Sequence, residues 1–106
     1  MMKKETRELL EKLRPIKNRL QREGFVIDAL FGSYARGDFG PHSDVDLLYH
    51  VEGAFLQKHR GFRALLRLNE IKALLAEELG ASVDLAPTNN LSKTGRRFIL
   101  SEAIDV

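Results

Sequence analysis

Cysteine is absent from the 106-residue chain, which excludes disulfide bonds and metal sites built on thiolates. Long apolar runs are missing as well, and stretches such as Ala64-Leu65-Leu66 are far too short to cross a membrane. The N-terminal sequence MMKKETRELLEKL carries charges where a secretory signal would need an apolar core. These absences predict a soluble, cytoplasmic protein without a targeting segment.

A strong charge of one sign is also missing, since the formal net charge is only +2. So small a surplus does not favour nucleic acid as a partner, and we expect no direct nucleic-acid binding. Lys93, Arg96 and Arg97 form a basic cluster that is either a solvated helix face or a contact for phosphate or a partner. With 43% apolar and 30% charged residues, the chain has the composition of a globular protein, and we predict one domain over residues 1–106.

Hydrophobic periodicity divides the chain into alternating helices and strands. Helices are predicted over residues 3–23, 33–36, 62–79 and 92–102. Strands are predicted over residues 25–31, 44–51 and 82–86. Pro15 predicts a kink, or a junction of two helices, within the first helix. The order of elements predicts an α/β sandwich in which helices pack on a small sheet.

The most informative stretch, FGSYARGDFGPHSDVDLLYHV, begins with a glycine-serine pair after the first predicted strand. Gly32 lacks the Cβ that would keep a phosphate chain away from the backbone. The N–H groups at the start of the following helix carry partial positive charge, and Ser33 adds a hydroxyl donor. Taken alone, the pair favours an ordinary strand-to-helix turn in which Ser33 is the N-cap.

Two carboxylates at alternate strand positions change that balance. Asp44 and Asp46 point to the same face of a strand, with Cα atoms about 6.5 Å apart, a span that suits metal ions about 3.5–4 Å apart. Hard oxygen ligands favour Mg²⁺ or Mn²⁺. Asp84, in SVDLAP, joins this site as a ligand or general base if its strand lies beside that of Asp46; otherwise it is an edge-strand charge.

These motifs resemble the minimal nucleotidyltransferases of the DNA polymerase β superfamily. GSYARGD, then SDVDLL and a later VDL, match that family's glycine-serine and three-aspartate pattern. The resemblance implies an α/β (α+β) nucleotidyltransferase fold with a small mixed sheet backed by helices. It implies that Gly32 and Ser33 bind the triphosphate of ATP and that Asp44, Asp46 and Asp84 bind metal and are catalytic. Arg36 contacts phosphate or ties down the short helix.

Family members of this length are often paired with a small helical HEPN protein as toxin and antitoxin. The resemblance then implies transfer of AMP from ATP to a tyrosine of the toxin. Because little chain follows Asp84, we expect a partner, or a second copy in a homo-oligomer, to complete the acceptor site. The alternatives are an antitoxin that acts by binding alone, and an adenylyltransferase for a small molecule of the aminoglycoside type.

Several other residues carry weaker expectations. Asp28 is expected to be a solvated or edge position within the first strand. His42 could reach the nucleotide, and Tyr34 is expected to pack rather than to contact it. The leucine-rich stripe of residues 65–79 is expected to lie in the core, with any surplus width forming a dimer or partner face.

Overall fold

The structure, a computed structural model, describes residues 2–90 and 102–106. Its described helices are α1 (Lys4–Gln21), α2 (Gly32–Arg36), α3 (Gly53–Lys58) and α4 (Phe62–Leu79). Its described strands are β1 (Phe25–Phe31), β2 (Val45–Val51), β3 (Val83–Pro87) and β4 (Ile104–Asp105), and a 3₁₀ turn (Thr88–Asn90) follows β3. No helix in this part of the chain is long and apolar enough to cross a membrane.

The four strands form one mixed sheet in the order β3-β2-β1-β4. β1 pairs antiparallel with both β2 and β4, whereas β2 and β3 are parallel. A parallel pair cannot be joined by a tight hairpin, so the chain crosses from the end of β2 to the start of β3 through α3 and α4. The small mixed sheet backed by helices that the sequence predicts is confirmed.

The core lies between one face of this sheet and the helices α1 and α4. Apolar residues recur on a single stripe of each helix, because 3.6 residues complete one turn. Together with the inward-facing strand residues they form one cluster: Leu9, Leu13, Ile16, Leu20, Phe25, Ile27, Leu30, Val45, Leu47, Phe55, Ile71, Leu75, Leu79 and Val83.

Several predicted elements need correction. α1 runs through Pro15 as one helix, so the predicted junction of two helices is wrong. Pro15 is exposed, whereas Leu13 and Ile16 are buried. The packing of these two residues offsets the one backbone hydrogen bond that proline removes. α3 and β4 were not predicted, because six and two residues are too few to show a period. The basic cluster of Lys93, Arg96 and Arg97, and the predicted helix up to residue 101, lie outside the described residues.

The leucine-rich stripe of α4 is only partly core. Ile71, Leu75 and Leu79 are buried, but Leu65 and Leu66 are 52% and 47% exposed. Successive helical residues are about 100° apart, so these two leucines are turned away from the buried stripe that passes through Leu68. The surplus apolar width anticipated from the sequence is therefore present, and it faces solvent.

A buried ion network ties the helices together at the end of α1. The carboxylate of Glu23, only 13% exposed, accepts hydrogen bonds from Arg67 at 2.5 and 3.0 Å and contacts Nε2 of His59 at 2.9 Å. The hydrogen bond from Arg67 lowers the pKa of Glu23, and this effect outweighs the opposing effect of burial.

Glu23→Gln should destabilise the fold at neutral pH, because it removes the main countercharge of the Arg67 guanidinium and leaves only the longer contact with Glu70. A lowered folded-state pKa means that ionised Glu23 stabilises the fold above its unfolded-state pKa of about 4.5, and that this stabilisation is lost as the pH falls through the folded-state pKa. We expect a loss of about 1–3 kcal/mol at pH 7 and a smaller loss at pH 3, measured by urea unfolding. Glu78→Gln, which removes an exposed pair with Arg19, is the control and should cost under about 0.5 kcal/mol. An equal loss for Glu23→Gln at both pH values would contradict this account.

Candidate active site

The parallel pairing of β2 and β3 brings the predicted carboxylates together. In this register Asp46 lies directly beside Asp84, and Asp44 comes immediately before β2. Val45 and Leu47, the strand neighbours of Asp46, belong to the core cluster, so Asp46 faces the opposite side of the sheet. The condition set for Asp84, a strand next to that of Asp46, is met.

The glycine-serine turn meets the carboxylates at Asp46. Phe31, the last residue of β1, pairs with Asp46, and Gly32 follows with a φ of +73°. A Cβ built on Gly32 would collide with Oδ2 of Asp46 and stand 3.0 Å from its Cγ. Only glycine therefore suits this position, for its left-handed backbone and for its contact with the carboxylate.

Ser33 lies in the first turn of α2 and is partly exposed. The alternative in which Ser33 is the N-cap is wrong, because the N-cap position is taken by Phe31 and no side chain caps the helix. α2 is instead closed at its C-terminal end, where the carbonyl of Ser33 accepts hydrogen bonds from the N–H groups of Gly37 and Asp38.

Electrostatic repulsion is concentrated on Asp46. Burial raises the pKa of its carboxyl group, the charges of Asp84 and Asp44 raise it further, and the charge of Arg36 acts in the opposite direction. Each cause of the increase opposes the ionised form. A cation placed among the three carboxylates would remove this repulsion.

The donor set fits a hard divalent cation. All three side chains offer carboxylate oxygens, the ligands preferred by Mg²⁺ and Mn²⁺. Within residues 2–90 and 102–106, no group of three acidic or histidine side chains is close enough together to hold a metal ion. Asp44 and Asp84 are exposed, so their side chains can reorient without disturbing the core.

An open cleft of about 460 Å³ adjoins the carboxylates on the side of α4. It is lined by Asp44, Asn69, Lys72, Ala73, Ala76, Ser82, Val83 and Asp84. Nζ of Lys72 lies 3.9 Å from a carboxylate oxygen of Asp84, with both side chains more than half exposed. Asn69 and Lys72 were not identified from the sequence, because nothing in a helical period distinguishes a cleft residue from a solvated one. The one available signal was their i, i+3 spacing on a helix that precedes the Asp84 strand.

Arg36 is held by acidic neighbours within the described structure. Its guanidinium donates to Asp38 at 3.2 Å and to Glu102 at 3.4 Å. Of its two predicted roles, these contacts agree with tying down the short helix; the phosphate contact stays a prediction.

The structure also places Asp28, Tyr34 and His42, the other three residues considered from the sequence. Asp28 sits at a bulge in β1, between β2 and β4, and so is not an edge position. Its carboxylate accepts a hydrogen bond from Thr88 at 2.8 Å and contacts Nδ1 of His50 at 2.8 Å. Tyr34 stacks on Phe39 at 4.4 Å, as expected of a packing residue. His42 is exposed in the loop before β2.

A mixed sheet with a glycine-serine turn against paired carboxylates defines a nucleotide-transferring class of protein. The family model described as "Nucleotidyltransferase domain" matches residues 10–106, and the chain belongs to this family. It is therefore a nucleotidyltransferase by fold and by sequence.

Individual relatives agree with this assignment. A protein of Methanocaldococcus jannaschii named "putative protein adenylyltransferase" is 35% identical over 100 residues, covering 93% of this chain and 95% of the relative. A solved structure described as a "putative minimal nucleotidyltransferase" is 34% identical, with a TM-score of 0.65 and coverage of 92% and 95% of the two chains. A crystal structure described as a toxin-antitoxin with AMP-PNP has a TM-score of 0.62 at 21% identity, covering 90% of this chain and 69% of that chain, and shares the fold.

Gly32→Ala should displace the Asp46 carboxylate and strain the turn. We expect a loss of stability of about 1–3 kcal/mol, since a side chain at this φ is unfavourable and its Cβ collides with Asp46. Gly53→Ala is the matched control, because a Cβ there meets nothing within 4 Å. Chemical denaturation of both variants measures the difference. Equal stability of the two variants would show that the turn relaxes without cost.

Asp46→Asn should stabilise the protein at neutral pH while removing a site residue. Because the folded-state pKa of Asp46 is raised above 3.8, its ionisation favours the unfolded state, so this part of the stability is present at low pH and lost as the pH rises through the raised pKa. We expect the Tm of the variant to exceed that of wild type by a few degrees at pH 7 and to equal it near pH 3.

The same variant reports on metal binding in a thermal-shift titration. Mg²⁺ or Mn²⁺ should raise the Tm of the wild type more than that of Asp46→Asn, because the ion binds only the folded site. Asp105→Asn, which removes an exposed carboxylate on β4, should respond as the wild type does. If neither ion changes the Tm of the wild type, a divalent site at these carboxylates is excluded.

Proposed function

We propose that this chain transfers AMP from ATP to a hydroxyl group of a partner protein, and that the acceptor is a tyrosine of a small helical HEPN-type toxin, for which the chain acts as antitoxin. The observation that carries the proposal is that Gly32, directly after β1, lies against Asp46 on β2, which in turn pairs with Asp84 on β3. The relative named as a protein adenylyltransferase and the structural neighbour described with a toxin-antitoxin and AMP-PNP support the protein acceptor and the nucleotide.

In this proposal Asp44, Asp46 and Asp84 hold Mg²⁺ or Mn²⁺. The ion would supply positive charge that offsets both the repulsion among the carboxylates and the charge of the triphosphate. Gly32 allows the phosphates to approach the backbone, and the Ser33 hydroxyl donates a hydrogen bond to a phosphate oxygen. These residues bind and orient the donor.

The order of the strands supports an in-line transfer. Gly32 directly follows β1, Asp46 lies on β2 and Asp84 lies on β3. The glycine turn and Asp84 are therefore on opposite sides of Asp46, about 10 Å apart at the usual strand spacing. The leaving pyrophosphate then lies toward Gly32 and the acceptor toward Asp84. The acceptor oxygen bonds to the α-phosphorus, the bond to pyrophosphate breaks, and the acceptor proton passes to Asp84 or to solvent.

The openness of the site favours a macromolecular acceptor. Asp44 and Asp84 are exposed, and the cleft beside them is wide and shallow rather than enclosing. Small-molecule sites usually bury most of the ligand surface. A protein can instead carry its hydroxyl group to the carboxylates and provide the missing wall itself.

The test is transfer of AMP to the helical partner in the presence of Mg²⁺ and ATP, followed by intact mass. We expect the partner to gain one or more AMP units, and Asp46→Asn and Asp84→Asn to slow the gain by at least about 100-fold. Asp105→Asn should transfer at the wild-type rate. Full activity of Asp46→Asn would refute the carboxylate mechanism, whereas a stable complex without any transfer by the wild type would favour an antitoxin that acts by binding alone.

A further inference from the structure

The side of α4 turned away from the core carries a second apolar stripe. Phe62, Leu65 and Leu66 are 71%, 52% and 47% exposed, which makes them the most exposed large apolar side chains of this helix. Residues three and four apart are neighbours on a helix surface, so the three form one contiguous patch. Contiguous exposed apolar patches on this scale mark interaction surfaces more often than isolated apolar residues do.

This patch leads directly to the carboxylates. Continuing at the same spacing, the helix presents Asn69, Ala73 and Ala76, and all three line the cleft that contains Asp44 and Asp84. We call the six residues from Phe62 to Ala76 the outer stripe of α4. At 1.5 Å per residue the outer stripe is about 21 Å long, the length of a contact with one helix or ridge of a partner.

The charges beside the patch have one sign at the start of α4. Lys58 at the end of α3, Arg60 in the α3–α4 connection and Arg63 in the first turn of α4 are exposed. At the cleft end Lys72 adds a further cation beside Asp84. Glu70, farther around the helix, is engaged by Arg67 at 3.7 Å. The start of α4 therefore has an apolar centre with cationic flanks, and it complements an apolar ridge bordered by Asp or Glu.

We propose that the outer stripe of α4 is the docking surface for the acceptor protein, which binds through an apolar ridge bordered by acidic side chains and so delivers its hydroxyl group to Asp84. This inference rests on the proposed function. It adds that specificity for the acceptor resides in Phe62, Leu65 and Leu66, away from the residues that bind the nucleotide. Small residues at positions 73 and 76 leave the partner backbone room to approach the cleft.

The first test separates docking from chemistry with a charge on the stripe. The assay follows AMP transfer from α-phosphate-labelled ATP to protein acceptors in a lysate of the cells that express the chain. The double variant Leu65→Glu/Leu66→Glu should lower the rate of this transfer by at least tenfold. Its affinity for ATP should stay within twofold of wild type. Leu56→Glu is the matched control, because Leu56 is 53% exposed on α3 but outside the stripe, and it should leave both quantities unchanged. Labelling at the wild-type rate by the double variant would overturn the proposal.

The second test asks what lies on the stripe. Benzoylphenylalanine replacing Leu65 should photo-crosslink the same protein that wild type labels, and benzoylphenylalanine replacing Leu56 should not. Arg60→Glu/Arg63→Glu should weaken that complex at least tenfold, with Lys12→Glu/Arg14→Glu on α1 as the control. A crosslink from position 65 only to a second copy of the chain would overturn the proposal in favour of a homodimer.

The two proposals can fail separately. If wild type labels no protein, the proposed transfer to protein is wrong. The docking surface is then tested by crosslinking alone. A crosslink from position 65 to an acidic partner, lost in Arg60→Glu/Arg63→Glu, would support the outer stripe as a docking surface for a protein. Absence of any crosslink from position 65 would reject it.

Discussion

The parallel pairing of β2 with β3 is the constraint on which the site depends. Only this register sets Asp46 beside Asp84, although 37 residues separate the two positions in the sequence. The pairing in turn requires a crossover, and α4 is its longest element. One face of α4 closes the core through Ile71, Leu75 and Leu79, and the adjoining face forms a wall of the cleft. The same helix therefore contributes both to the core and to the cleft beside the carboxylates.

The three carboxylates near the end of β1 are placed at a cost to the stability of the folded protein. Asp46 is half-buried beside two like charges, and its raised pKa records what that placement costs. The Glu23 network at the other end of the crossover has the opposite character, because its buried carboxylate is fully paired and its pKa is lowered. The charge of Glu23 is compensated and that of Asp46 is not, and an uncompensated carboxylate with a perturbed pKa is a candidate for ligand binding.

The sequence predicted those features that short patterns encode. β1 and α4 have the predicted bounds, because an almost continuous apolar run and a long helical period are strong local signals. Gly32 and the pair Asp44 and Asp46 could be placed together, because strand alternation fixes side-chain direction. The pairing of Asp84 could be stated only as a condition, since nothing local to SVDLAP specifies its neighbour in the sheet.

What the sequence did not predict depends on contacts between distant segments. Buried Leu75 and exposed Leu65 belong to the same leucine-rich pattern of α4. Only the position of the sheet determines which of the two leucines is buried. Lys72 approaches Asp84 because α4 packs against β3, a contact that no spacing within α4 indicates. α3 is likewise too short to show a period, and it is fixed by Phe55, which is buried against Phe25.

Under the proposed function, the donor side and the acceptor side of the site are constrained by different parts of the structure. The donor side, at the end of β1 and the start of β2, is constrained by backbone geometry: Gly32 touches Asp46, and no side chain can be added there without a collision. The acceptor side is built from the outward surface of α4, where Leu65 and Leu66 contribute little to the core. Substitutions on that surface change recognition at small cost in stability. Under the proposed function, the chemistry is therefore fixed by the sheet, and the choice of partner is left to a helix face that can vary independently.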